Sequence, residues 1–276
     1  MDTGKIIIYD DSCPLCAAYT GAFVKAGFLR KEDRLDFSHL DEKTKQLLDT
    51  SRCPNEIPVI DRETMEVSYG IDALATILEQ KIHGIEKLLR YTAIKWPLQK
   101  LYKFISYNRR VIVASKPAVG NFDCTPDFNV TYRIAFMFLF LVFNSLMLFP
   151  IHSYILQNSF SKVSAGELQF AHLLLVCFNI GIGACMKLKP ALEYLGQVNM
   201  LALTTIGATM PLILLNYFGL VPFAGINNIY LFLLIGFVLK EYRRRMIFAE
   251  IIPGKKWIYT LNILGILVFI FFLLQS

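Results

Sequence analysis

Charge is scarce in this chain. Only 18% of its 276 residues are Asp, Glu, Lys or Arg, while 55% are hydrophobic and the mean hydropathy is +0.46. That balance excludes an ordinary soluble domain. Internal repeats and low-complexity tracts are absent too, which sets aside a solenoid or a tract-based linker. Residues 1–5 offer neither a basic stretch nor a long apolar run, so no cleavable signal peptide is expected. The sequence has one C-x-x-C pair, Cys13 and Cys16, and no second one. A zinc site would need two more ligands, for which Cys53 and His39 are the nearby candidates, and neither brings a matching spacing.

What is there is unevenly placed. Before about Asn121 the composition is mixed and holds most of the charge; beyond it come runs such as "IAFMFLFLVFNSLMLFP" and "ILGILVFIFFLLQS". Three parts are expected: a globular domain over residues 1–82, a basic amphipathic connector over 83–127, and a membrane domain over 128–276.

In the first part, "KIIIYD" is a short β-branched run and reads as a buried strand. From Pro14 onward, Leu15, Tyr19, Ala22, Phe23 and Ala26 recur at helical spacing, and Pro14 suits a first helical position. Cys13 then falls at the strand-to-helix turn, with Cys16 one turn in. The unpaired N–H groups and dipole of a helix N-terminus favour a thiolate. Cys13 is therefore expected to be the exposed, activated thiol, and Cys16 the one that attacks a mixed disulfide on it. Asp10 has two readings: it accepts backbone N–H groups that shape the turn, or it takes a proton from Cys16. Asp11 adds negative charge that would raise the Cys13 pKa. Cys53 reads as a loop thiol, with an accessory redox role as the alternative, because it stands close in sequence to Pro58.

"RLDFSHL" reads as a second strand and "DEKTKQLLDT" as a short helix capped by Asp41. "NEIPVIDRETMEVSYG" reads as a hairpin whose first strand opens at Pro58, and "IDALATILEQ" as a closing helix. The order β-α-β-α-β-β-α is that of a thioredoxin-like α/β domain, here followed by an all-α multi-span bundle. The stretch "YDDSCPLC", with Asp10, Cys13 and Cys16, resembles the signature of the DCC family of thiol-disulfide oxidoreductases. "LQKLYKFISYNRRVIV" resembles that family's closing helix through Tyr102, Asn108 and Arg109. The resemblance spans about residues 5–113, and Asp11 stands where the family usually has Gly. It implies a cis proline at Pro58, about 40 residues after Cys16, facing the cysteine pair. It also implies catalysis by Cys13 and Cys16, with Asp10 and Pro58 completing the site and no cofactor.

The connector places Leu88, Leu89, Trp96, Leu98, Leu101, Tyr102 and Ile105 at near-helical spacing among many Lys and Arg, with a break at Pro97. It reads as an interfacial pair of helices on anionic headgroups, or as helices packed on the preceding domain. Five stretches are long and apolar enough to span a bilayer: 130–150, 167–186, 198–218, 226–240 and 257–274, the fourth being the shortest. Alternate loops are basic, "KEYRRRMIFAEIIPGKK" most of all. The expected topology therefore has the N-terminal domain in the cytoplasm and the C-terminus outside, in a bacterial inner membrane. Cys177 and Cys185 are eight residues apart, about 12 Å on a helix, which is too far for a disulfide. They read as small hydrophobes.

The expected function is thiol-disulfide exchange by a membrane-anchored enzyme on the cytoplasmic side. Its partners are a thiol- or disulfide-bearing client, an external reductant and the lipid bilayer, and no nucleic acid. The alternative is a membrane transporter or assembly factor whose cytosolic domain senses redox state and binds a client.

Overall fold

The computed structural model describes residues 4–114, 125–159, 161–221, 225–252 and 254–275. Residues 115–124 of the connector lie outside them. The chain forms two compact units, residues 1–132 and 133–276.

The first unit holds a four-stranded sheet. Its strands are β1 (Lys5–Tyr9), β2 (Arg34–Asp36), β3 (Pro58–Asp61) and β4 (Val67–Tyr69), in the order β2-β1-β3-β4. β1 runs parallel to β2; the β1–β3 and β3–β4 pairs are antiparallel. Helices α1 (Pro14–Lys25), α2 (Glu42–Leu47) and α3 (Gly70–Glu79) complete the order β-α-β-α-β-β-α. This is the expected thioredoxin-like arrangement, and the strand alternation explains it. Ile7 and Val59 point to one face with Leu29, Ala73 and Ile77; Ile8 and Ile60 point to the other with Phe37, Leu40 and Cys53. Both faces are covered, which suits an apolar run such as "KIIIY". Full burial of Ile7 and Ile8 contributes about 1.5–3 kcal/mol each.

Two further helices follow, α4 (Ile85–Leu88) and α5 (Thr92–Ile112). Pro97 sits within the first turns of α5, where little of the backbone ladder is lost, and the helix continues through it. The side of α5 that faces the domain carries Tyr102, packed against the core cluster of Ile7, Ile57, Val59 and Ala73, and Ser106, whose Oγ donates to the Asn55 carbonyl at 2.5 Å. Leu98, Leu101 and Ile105, together with Trp96, remain exposed.

The second unit is helical: α6 (Val130–Tyr154, which begins in the first unit), α7 (Ala165–Ala184), α8 (Leu188–Tyr217), α9 (Gly225–Phe248) and α10 (Lys256–Gln275). Four of them, α6, α7, α8 and α10, are long and apolar enough to cross a membrane. That is one fewer than the five spans expected. The exception is α9, whose last turns carry Lys240, Glu241, Arg243, Arg244 and Arg245. Polar side chains tie these helices together. Asn144 donates to Asn199 Oδ1 at 2.9 Å, Tyr194 donates to Asn179 Oδ1 at 2.5 Å, and Asn216 donates to Asn227 Oδ1 at 3.0 Å. Buried arginines form ion pairs where α6 and α8 begin and α9 ends: Arg133 with half-buried Glu193, and Arg245 with Glu241.

Candidate active site

The site is built where β1 runs out. After Tyr9 the chain turns through Asp10–Ser12, and α1 begins at Pro14. Asp10 fixes that turn: its Oδ1 accepts the Ser12 N–H at 3.0 Å and the Ser12 hydroxyl at 2.5 Å. Its backbone carbonyl accepts the Cys13 N–H at 3.2 Å. Cys13 is the N-cap of α1, with extended backbone, and its Sγ accepts the Cys16 N–H at 3.2 Å. Sulfur thus occupies the position that a Ser or Asp oxygen takes in most helix caps. On the far side, Arg34 ties α1 to β2, donating to Thr20 Oγ1 at 2.8 Å and to the Ala17 carbonyl at 3.0 Å.

Both thiols are buried, Cys13 at 4% exposure and Cys16 at 3%, so Cys13 is not the exposed residue expected from its place in the turn. The cover is tertiary. Arg109 on α5 is itself buried and lies with its Nη2 3.6 Å from Asp10 Oδ2. Sequence spacing placed Arg109 in a closing-helix pattern but gave no sign that its guanidinium bears on the cysteines. The signal the sequence did hold was its place beside Asn108 in that closing-helix pattern.

The electrostatics separate the two thiols. Cys13 is lowered to about 7, first by the hydrogen bond from the Cys16 thiol, against the cost of burial, and then by Arg109 and the Cys16 N–H, with Asp10 opposing. Cys16 is pushed up strongly by the same thiol–thiol hydrogen bond and by burial. Burial works against the Arg109 charge, yet Cys16, Cys13 and Asp10 outweigh it, and its pKa is raised. Asp11 is exposed and is held by the Ser38 hydroxyl at 2.9 Å, so the carboxylate that bears on Cys13 is Asp10.

Pro58 opens β3, and the antiparallel register brings it alongside the end of β1, the strand that leads into Asp10. The Ile57 N–H before it donates to the Tyr102 hydroxyl at 2.8 Å, so α5 holds this strand end as well. Cys53 lies elsewhere, in the cluster with Ile8 and Ile60; its thiol faces the Asp49 carbonyl at 3.2 Å, and burial pushes it up to about 12. His39 is paired with Asp36 on the surface. Among the described residues no group of three or more His, Cys, Asp and Glu could hold a metal ion.

The arrangement is therefore a dithiol with one ionisable member at a helix start, a neutral partner one turn in, and a buried guanidinium beside both. Residues 7–114 match the family model for DCC1-like thiol-disulfide oxidoreductases. No curated protein and no solved structure matches the chain.

Proposed function

We propose, taking residues 7–114 as a DCC1-like thiol-disulfide oxidoreductase domain, that this membrane-anchored protein reduces client disulfides on the cytoplasmic side. The observation that carries the reading is the Cys13 Sγ at the start of α1, accepting the Cys16 N–H beside buried Arg109, with its thiol lowered to about 7. The thiolate is the nucleophile in exchange, and near neutral pH about half of Cys13 would be in that form.

Cys13 thiolate attacks one sulfur of the client disulfide. The client S–S bond breaks, one client sulfur leaves as a thiolate and takes a proton from solvent, and a mixed disulfide remains on Cys13. That step removes the Cys13 charge and with it the hydrogen bond that holds Cys16 neutral. Cys16, still beside Arg109, then loses its proton more readily and attacks Cys13 Sγ. The second client thiolate leaves and is protonated. The client has gained two electrons and two protons, and a Cys13–Cys16 disulfide has formed. A dithiol reductant supplied from outside returns it to the reduced state. Asp10 shapes the turn and balances Arg109, and Pro58 opens β3 alongside the end of β1. A reducing cytosol favours this direction over the installation of structural disulfides.

The bilayer is the third partner. The stripe Leu98, Leu101 and Ile105 on α5 has i, i+3, i+7 spacing and stays exposed with Trp96, among Lys95, Lys100 and Lys103. That combination suits a helix lying on anionic headgroups. We include α9 among the crossings. It meets α8 at Asn216 through Asn227 and at Gln197 through Arg245, points about 28 Å apart along α8. A helix paired over that length crosses with its neighbour.

The test is trapping. A Cys16→Ser variant expressed in cells should retain clients as mixed disulfides on Cys13, identified by mass spectrometry, and a Cys13→Ser/Cys16→Ser variant should retain none. If no protein or small thiol is captured on Cys13, the exchange reading fails and the sensing alternative gains.

A further inference from the structure

The helical unit contains a cavity of about 250 Å³. Its lining follows one face of α7 through Leu168, His172, Leu175 and Asn179, a rise of about 16 Å, and it runs along α10 from Asn262 to Leu273. The space is therefore elongated. No Asp, Glu, Lys or Arg lines it among the described residues, which excludes an ion, a phosphate or a carboxylate as its occupant.

The walls are aliphatic, but a few polar groups interrupt them. Asn179 and Asn262 are settled, bonded to each other and to Tyr194, and Thr205 and Thr209 donate to carbonyls of their own helix. Two are not. Asn144, 1% exposed, spends its amide N–H on Asn199 and leaves Oδ1 with no partner; Ser161, 7% exposed, leaves its hydroxyl with none. Both line the cavity. An acceptor left bare in an apolar space forfeits the hydrogen bond it would make in water. A ligand that donates a hydrogen bond removes that cost, and a hydrocarbon does not.

We propose that this cavity binds one uncharged, chain-bearing hydroxy compound taken from the membrane. The hydroxyl donates to Asn144 Oδ1, the tail lies along the aliphatic walls, and Ser161 makes a second polar contact from the loop between α6 and α7. The site is a mostly apolar cavity with a few placed polar groups, as small-molecule sites generally are. It does not depend on the thiol chemistry.

The experiment uses the purified full-length chain in detergent with radiolabelled dodecanol as probe, and dodecane and dodecanoate as competitors. Saturable binding of one dodecanol per chain is expected, displaced poorly by either competitor. Asn144→Leu should weaken it at least tenfold, Ser161→Ala at least threefold, and Ala202→Trp, which fills the cavity, should abolish it. Non-saturable uptake, equal competition by dodecane or dodecanoate, or unaltered binding by the variants would overturn the proposal. Asn144 also bridges to α8, so its variant is checked by helical circular dichroism and gel filtration. If it does not fold, Ser161→Ala and Ala202→Trp decide: loss of binding supports the site, and retention rejects it.

Discussion

At the scale of single residues, one guanidinium organises the chemistry. Iodoacetamide should modify Cys13 with a midpoint near pH 7 and leave Cys16 unreacted until far higher pH. Arg109→Met removes the cation that lowers Cys13, so the Cys13 midpoint should rise; a rise of one pH unit cuts the thiolate at pH 7 by about fivefold. Arg109→Lys should restore part of it. Asp11→Gly, by contrast, should move the midpoint little, because that carboxylate faces Ser38 at the surface. Stability follows the same sign. The fold favours ionised Cys13, so its contribution is fully present above the ordinary thiol value of 9.0 and is lost as pH falls through about 7. Between pH 7 and 8, where Cys16 and Cys53 stay largely protonated folded or unfolded, denaturant titrations of the reduced protein should show stability rising with pH, and Cys13→Ser should flatten the rise. Cys13 and Cys16 were legible because they share four residues of sequence. Arg109 was not, because its role comes from a contact made across the whole domain, and the burial of Cys13 was missed for the same reason.

At the scale of elements, periodicity carried most of the fold. The short apolar runs of β1 and β3 and the turn residues around Asp61 suffice to place these strands along the chain. Where α5 docks was less legible, since its sequence has two apolar faces, one bearing Tyr102 and the other Leu101 and Ile105. Only packing shows which face the domain takes. Tyr102→Phe keeps that packing but leaves the Ile57 N–H bare, which should cost about 1–3 kcal/mol in urea unfolding of the reduced protein. Activity should fall as well, because the same helix carries Arg109. A change confined to stability would separate α5's structural part from its part in the site.

At the scale of the whole molecule, the number of crossings decides which side the C-terminus occupies. Four helices qualify by length and composition; α9, whose apolar stretch is short and whose end is charged, enters the count only through the proposal drawn from its pairing with α8. With α9 counted, a reporter active only in the cytoplasm should work when fused at the N-terminus and after Met246, and fail after Ser276. Success after Ser276 would remove α9 from the membrane. The charged end of α9 has one more consequence. Lys240, Arg243, Arg244, Arg245, Lys255 and Lys256 stand against only Glu241 and Glu250 at that end and in the turn that follows. A membrane voltage acts on such an excess with about 2.3 kcal/mol per charge for each 100 mV. In the topology proposed above, an energised membrane, negative inside, would hold that end on the inner face, and dissipating the voltage during synthesis should raise the fraction of chains inserted the wrong way round.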